Sequence, residues 1–600
     1  MLHPHSVSME DFDALAGGPG QAAIVDRLKQ AGRSRQLILL RAVLDRASAL
    51  APDIGPLPAM ETAWQLLVAA QRHDHQAAEQ VITCPQVGLW AAKALRRLKN
   101  LTSSDTPLWA DLGYLHLVAA AAAIRAAFDF HTRVPVWNGS VFLPTLGLAR
   151  LPGHRRWDIA DVHGERSQVR LRGSSGSATL PRALDKDGES WQALWRLETG
   201  HGKARLGVRL DDLDPYRGFD EPLPPSRITS TEAVVWQESL DAAWRLLSRH
   251  HPAIAEELSA GLKTLVPQTG TGRFKAFSAS NADAFGCVVL SLPPDPMSFA
   301  ATLVHEFQHS KLGILLDLFP LTDPRVTEDP ARFYAPWRDD PRPLNGLLHG
   351  VYSFLGVTAF YRAQRLRDKE PGARTAQYEF AYRREQTTRA ATTLAAVPEL
   401  TRLGRRFTAT MLEQLAEWNT DAVPADLLTA VRRTSADHYA TWRLRHYLVE
   451  PDQADELARA WLRNRKPPEI RLPQPKLRDD IDPAPGPSAR GDLTRVWLGD
   501  PDLFRSYLAA PELAIADIPG ATTADLALIS GDTEAAARGY RARLAVEPDD
   551  LASWIGLALT VPGGPFTRPE LVRAVQKRIT ARSGTVADPL RLGDWLALVR

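Results

Sequence analysis

The stretch from Ala284 to Phe319 constrains the fold more than any other part of the chain. "AFGCVVLSLP" (Ala284 to Pro293) is a continuous apolar run of strand length. "PDPMSFAATLVHEFQHSKLGILLDLF" follows it, with Asp295 placed to cap a helix and Pro296 at its first turn. On that helix His305 and His309 stand one turn apart, so both imidazoles share a face, while Glu306 projects roughly 100° round. A merely solvated face would not explain why the two histidines stand among Leu303, Val304, Phe307 and Leu312.

An HExxH helix behind an apolar strand is the zincin context, in which the two histidines hold a metal and the glutamate activates water. The helix is expected to be amphipathic. A third ligand has to come from elsewhere. The longer metzincin pattern is excluded, because Gly313 falls one place late and Leu315 stands where the third histidine belongs. The nearest downstream acid candidates, Glu328, Asp329, Asp339 and Asp340, lie in the proline-punctuated loop "TDPRVTEDPARFYAPWRDDPRP" rather than on a helix. The next helix, "PLNGLLHGVYSFLGVTAFYRAQR", is almost wholly apolar except for His349, with Gly350 beside it allowing close packing. His349 is therefore the expected third ligand, and Glu379 is the fallback carboxylate.

The periodicity of the rest of the chain gives an α+β, mainly α, class with five segments. Residues 1–131 repeat apolar residues at helical spacing, and "LHLVAAAAAIRAAFDF", broken by Arg125 and too short to span a bilayer, reads as a buried helix. Residues 132–225 form a small β-rich module, with a hairpin at Asn138-Gly139. Residues 226–465 are a helical catalytic domain that includes the zincin-like strand and helix. Residues 466–490 are a Pro-rich linker, and 491–600 a C-terminal helical region. In that region "DTEAAARGYRARLAVEPDDLASWIGLALTV" has tetratricopeptide-like two-helix spacing, with Pro548 opening the second helix.

A net charge of +2 argues against nucleic acid or a membrane surface as partner. Cys84 and Cys287 form no metal-binding spacing and read as structural residues of a reducing compartment. The acidic start "MLHPHSVSMEDFDALAGG" lacks the basic and apolar parts of a signal peptide, so a cytoplasmic location is expected.

Three stretches, "LVHEFQHSKL", "FYAPWRDDPRPLNGLLHGVYSFLGV" and "QYEFAYRREQ", give the chain a resemblance to a known family between Thr229 and Arg465. It resembles the HExxH-motif proteins of ribosomally synthesised, post-translationally modified peptide pathways, described as 2-oxoglutarate-dependent peptide β-hydroxylases. The resemblance implies Fe(II) as the metal, 2-oxoglutarate and dioxygen as cosubstrates, a precursor peptide as substrate and other maturation enzymes as partners. Hydroxylation would occur at a β-carbon, with no peptide bond cut.

The chemistry is compatible with this. Three ligands, His305, His309 and His349, leave positions open for a 2-oxo acid and O₂, although the set departs from the usual two-histidine, one-carboxylate triad. The far carboxylate of 2-oxoglutarate calls for a bidentate arginine, and Arg338 and Arg342 precede His349. Tyr334 and Trp337 line the pocket or anchor the loop. Glu306 separates the readings, since a zinc metallopeptidase requires it as general base and a hydroxylase does not. "DHYATWRLRHY", with Asp437, His438, Arg443, Arg445 and His446, is either a contact surface or a charged helix packing through its aromatics. Three function classes stand: the peptide hydroxylase, the zinc peptidase, and a non-catalytic peptide-binding scaffold with a structural metal. In the first, the strand Ala284–Pro293 is expected to dock an extended peptide by edge pairing.

Overall fold

The computed structural model describes all residues except 1–4, 51–54, 154, 166–167, 220, 271–276, 326–330, 368, 370–371, 469–475, 478–487, 562–567 and 598–600. The chain is a mainly helical α+β protein that divides into two compact units, Met1–Pro320 and Leu321–Arg600. The division falls inside the segment 226–465.

The first unit opens with helices α1 (Met9–Ala16), α2 (Ala22–Leu50), α3 (Met60–His73), α4 (His75–Ile82), α5 (Pro85–Leu98), α6 (Leu108–Leu112) and α7 (Tyr114–Ala126). The Ala-rich run forms α7 and is buried along nearly its whole length, because alanines let α3, α4 and the following sheet approach closely. Arg125 lies in its last turn and donates to Thr145 Oγ1 at 2.8 Å and to the Thr145 carbonyl at 2.7 Å. No helix among the described residues is long and apolar enough to cross a membrane.

Seven strands follow: β1 (Phe130–Trp137), β2 (Ser140–Leu143), β3 (Gly147–Arg150), β4 (Trp157–Glu165), β5 (Gln168–Gly173), β6 (Gly176–Thr179) and β7 (Trp191–Ala193). They form an antiparallel sheet in the order β6-β5-β4-β1-β2-β3-β7. The β1–β2 turn is the expected one: Asn138 and Gly139 have φ of 48° and 70°, the left-handed pair that a two-residue hairpin requires. Val134, Val136, Ala160 and Val162 face the core shared with α7, and alternate residues face outward.

The second sheet contains β8 (Trp195–Thr199) and β9 (Leu206–Leu210). After α8 (Ser230–His250) and α9 (Pro252–Gly261) it adds β10 (Thr264–Gln268), β11 (Ser278–Ala279) and β12 (Cys287–Ser291). Its order is β11-β12-β10-β9-β8, with β9, β10 and β12 parallel and antiparallel strands at both edges. The β-rich segment thus supplies one whole sheet and two strands of another. The expectation of peptide docking on the strand Ala284–Pro293 fails, because β12 is hydrogen-bonded to β10 on one side and β11 on the other. Cys84 and Cys287 are buried, and burial pushes the Cys84 thiol up to about 11.

In the second unit β13 (Arg332–Phe333) and β14 (Arg342–Pro343) pair as the base of a loop ahead of α11 (Leu344–Gln364). Helices α12 (Gly372–Ala395), α13 (Arg402–Trp418) and α14 (Ala425–His446) follow, and α12 packs on all three of the others. Next come β15 (Tyr447–Leu448), α15 (Pro451–Leu462) and β16 (Lys476–Leu477), which pairs with β15. Most of the 466–490 linker lies outside the described residues, as do Glu328 and Asp329. From α16 (Ala489–Gly499) onward the chain is helical, and Leu457 and Ala458 of α15 share a core with Tyr540, Trp554 and Val575. Pro548 does not open a helix. That helix runs Leu551–Ala558 and is capped by Asp550, while the Pro548 carbonyl accepts from Trp554 Nε1 at 2.8 Å.

Candidate metal centre

The helix carrying the motif is α10 (Pro296–Leu318). Asp295 caps it by accepting from Ser298 N at 2.9 Å, with Pro296 in the first turn. It lies against β11 and β12 and packs on α2, α8 and α9, so it is enclosed rather than amphipathic. From Phe299 to Leu315 only Thr302, His305 and His309 escape full burial. These three positions form a single line along the helix, at spacings of three and four. The one open seam in this central part of α10 is therefore the histidine seam.

The two imidazoles meet edge to face, with ring centroids 4.8 Å apart and planes at 84°. Their Nε2 atoms are 3.2 Å apart. Bonds of about 2.0–2.1 Å to one first-row ion place adjacent nitrogen ligands about 2.9–3.4 Å apart, depending on the angle at the metal. The separation therefore fits two ligands of one ion. Two facing nitrogen lone pairs repel unless a proton or a cation lies between them, and this pair is arranged to take either.

Glu306 is 2% exposed. Its Oε1 accepts from Ser278 Oγ of β11 at 2.7 Å and lies 3.9 Å from His305 Nε2. Its Oε2 is buried with no hydrogen-bond partner among the described residues. Burial pushes the carboxyl above its usual range, against the pull of the Ser278 hydroxyl. A buried acceptor without a donor is costly, so this oxygen suits a polar group delivered to the histidine pair.

Two residues beyond His309, Lys311 is 1% exposed and ion-paired with Glu257 of α9, which is equally buried. Glu257 Oε2 also accepts from Gly20 N at 2.6 Å. This contact ties α10 to α9 and to the turn before α2, which fixes the helix that presents the histidines.

The other predicted residues belong to the second unit. His349 lies on α11, half-buried, and is pushed down to about 4 by burial and by the nearby Arg342 guanidinium. It is therefore neutral near pH 7, the form a metal ligand needs. Gly350 allows the expected close approach: a Cβ there would lie 2.4 Å from Trp337, whose ring stacks on Phe354 at 4.6 Å. Arg338 and Arg342 share Asp340, with Arg338 Nε 2.8 Å from Oδ1 and Arg342 Nη1 3.0 Å from Oδ2. The loop is held by α12 and α14. Gln386 donates to the Pro336 carbonyl at 2.6 Å, His438 Nδ1 lies 2.8 Å from Tyr334 Oη, and His446 Nε2 lies 2.6 Å from the Asp339 carbonyl. Tyr334 thus anchors the loop through a hydrogen bond and contacts with Tyr439 and Trp442.

Glu379, the fallback ligand, is committed to Arg383 at 3.1 Å and Arg495 at 3.0 Å. Likewise Arg443 is forked on Glu570, and Asp437 is paired with Arg490 at 2.7 Å. Both belong to the packing of this unit. Arg445 gives no ion pair among the described residues.

Ser278 was not singled out from the sequence; its only sign is a short polar "SAS" before "NADAFG". Glu257 and Lys311 were missed because a lysine within a motif reads as solvated until its partner, far back in the chain, is placed. No protein-family model matches the chain, and no curated protein matches it.

Proposed function

We propose that the chain is an Fe(II)- and 2-oxoglutarate-dependent oxygenase that hydroxylates a β-carbon in a ribosomally made precursor peptide. The observation that supports a metal is the 3.2 Å approach of His305 and His309 Nε2, on the one line of α10 between Phe299 and Leu315 that is not fully buried. The choice of reaction rests on the sequence resemblance over Thr229 to Arg465, with β12 and α10 read as a zincin-like strand and helix and the C-terminal helices as tetratricopeptide-like. Fe(II) with 2-oxoglutarate and O₂ supplies the oxidant: one oxygen atom enters the C–H bond as hydroxyl and the other enters succinate, with CO₂ released.

The chain's own residues have these roles. His305 and His309 are the metal ligands of the first unit, and His349 is assigned as the third on the sequence argument, supported by its neutrality. Arg342, close enough to His349 to disfavour its protonation, is assigned the far carboxylate of 2-oxoglutarate, for which it exchanges part of its contact with Asp340. Glu306 holds a polar group beside the ligands through its unpartnered oxygen. The zinc peptidase is the second reading, and that same buried, unpartnered Glu306 oxygen favours it, since a general base needs a free lone pair.

The test is turnover of the cognate precursor with Fe(II), 2-oxoglutarate and O₂, read by mass spectrometry and by succinate. The expected product has an intact backbone and one added oxygen atom; His309→Ala abolishes it, and Glu306→Gln retains part of it. Two fragments formed without oxygen and lost in Glu306→Gln would make the chain a peptidase.

A further inference from the structure

The outer face of the seven-stranded sheet carries a second cluster of metal-ligating groups, in the first unit and separate from α10. His131 of β1 and His163 of β4 are direct cross-strand partners, and Asp161 pairs with Arg133 one step along the same face. Antiparallel pairing places directly opposed side chains about 4.5–5.5 Å apart at Cβ and brings the diagonal neighbour within reach of a long side chain. The imidazoles stack with centroids 4.2 Å apart and planes at 20°. His131 Nε2 lies 3.2 Å from Asp161 Oδ1, and one ligand atom from each of the three residues lies within 4.8 Å of the others. His131 and His163 are exposed and Asp161 half-buried, so an ion can reach them.

We propose that His131, Asp161 and His163 form a surface site for a borderline divalent transition ion of the Zn²⁺, Ni²⁺ or Cu²⁺ class. Two imidazoles and one carboxylate match those ions, whereas Ca²⁺ and Mg²⁺ require mainly oxygen ligands. The surroundings sharpen the choice. Arg133 Nε already holds Asp161 Oδ1 at 3.0 Å, and Arg172 and Arg170 stand opposite Asp161 and His163 on β5. A hard cation held by charge alone is repelled by these guanidiniums, and only an ion that bonds strongly to nitrogen overcomes them. Histidine χ2 is broad, so the exposed rings can turn from their stack to point both nitrogens at one ion. Asp161 Oδ2 is not engaged by Arg133 or His131, which leaves it for the metal.

Zinc titration of the full-length chain by equilibrium dialysis tests this. Wild type should bind one equivalent that is lost in His131→Ala and in His163→Ala, both exposed positions whose replacement leaves the core intact. The loss in affinity should exceed the roughly 10- to 100-fold that outer-sphere partners are worth. Arg133→Gln should tighten that equivalent, because it removes the competing cation. His305→Ala/His309→Ala should leave it in place, so failure of the metal site on α10 does not affect the result. The proposal is overturned if His163→Ala binds zinc with the stoichiometry and affinity of wild type, or if Arg133→Gln weakens the site as much as loss of a histidine.

Discussion

Neutralising Glu257 alone should destabilise the first unit far more than removing Glu257 and Lys311 together. Both side chains are at most 2% exposed and form one ion pair between α9 and α10. In Glu257→Gln the glutamine oxygen can still accept from Gly20 N, so the cost isolates the lysine left charged in the interior; breaking a buried pair in this way costs about 3–5 kcal/mol. Lys311→Met strands the carboxylate instead, at a similar cost. In Lys311→Met/Glu257→Gln no charge is left behind, and the pair replaced by neutral groups should cost well under the sum of the single changes. The assay is urea unfolding of the full chain followed by tryptophan fluorescence. With a slope of about 3 kcal/mol/M, each single variant should lower the midpoint of the first unit by about 1–1.7 M. Additive losses in the double variant, or single losses too small to measure, would refute the reasoning that this pair is an uncompensated liability when split.

Two further outcomes follow from the structure. His116 of α7 is 1% exposed, with Nδ1 lacking a partner among the described residues, and burial pushes it down to about 4 despite a bond to the Pro58 carbonyl. The unfolded chain therefore takes a proton near pH 6.5 that the folded chain refuses until about pH 4. Stability falls as pH drops through that window, by up to about 3 kcal/mol, and His116→Gln should flatten the urea midpoint between pH 7 and 5 relative to wild type; parallel curves would contradict it. If the oxygenase reading holds, Arg342→Ala should raise the KM for 2-oxoglutarate by about 10- to 100-fold, the worth of a charge-assisted bidentate contact. Arg338→Ala, at an exposed side chain, should change it little, and an unchanged KM in Arg342→Ala would place the carboxylate elsewhere.

What was legible in the sequence was local. The cap and first turn of α10, the Asn138-Gly139 hairpin, the buried Ala-rich helix and the convergence of His305 and His309 depend on residues a few positions apart, whose geometry the backbone dictates. The parallel pairing of β9, β10 and β12 was not legible, because no local pattern marks which apolar strands become neighbours. That omission also misplaced the docking strand: a run such as Cys287–Ser291 reads identically whether it lies at an edge or in the middle of a sheet. The same limit hid Ser278 and Glu257, which reach α10 from other elements. His349 is a different case. The sequence could nominate it by excluding the acids around it, but it belongs to a separate unit, where helical spacing from His309 carries no information.

The enclosure of α10 has a consequence for how the centre breathes. Its amides are hydrogen-bonded within a helix covered by a sheet and three other helices, so they should exchange with solvent only when the first unit unfolds as a whole. The two-residue strand β11, paired only with β12 among the described residues, can fray on its own. Glu306 thus projects from backbone expected to exchange slowly, while Ser278, which donates to it, lies on a short edge strand expected to exchange faster. Hydrogen exchange should therefore show the histidine-bearing backbone protected to the level of global unfolding, and the Ser278 strand, whose hydrogen bond restrains the carboxylate, opening sooner.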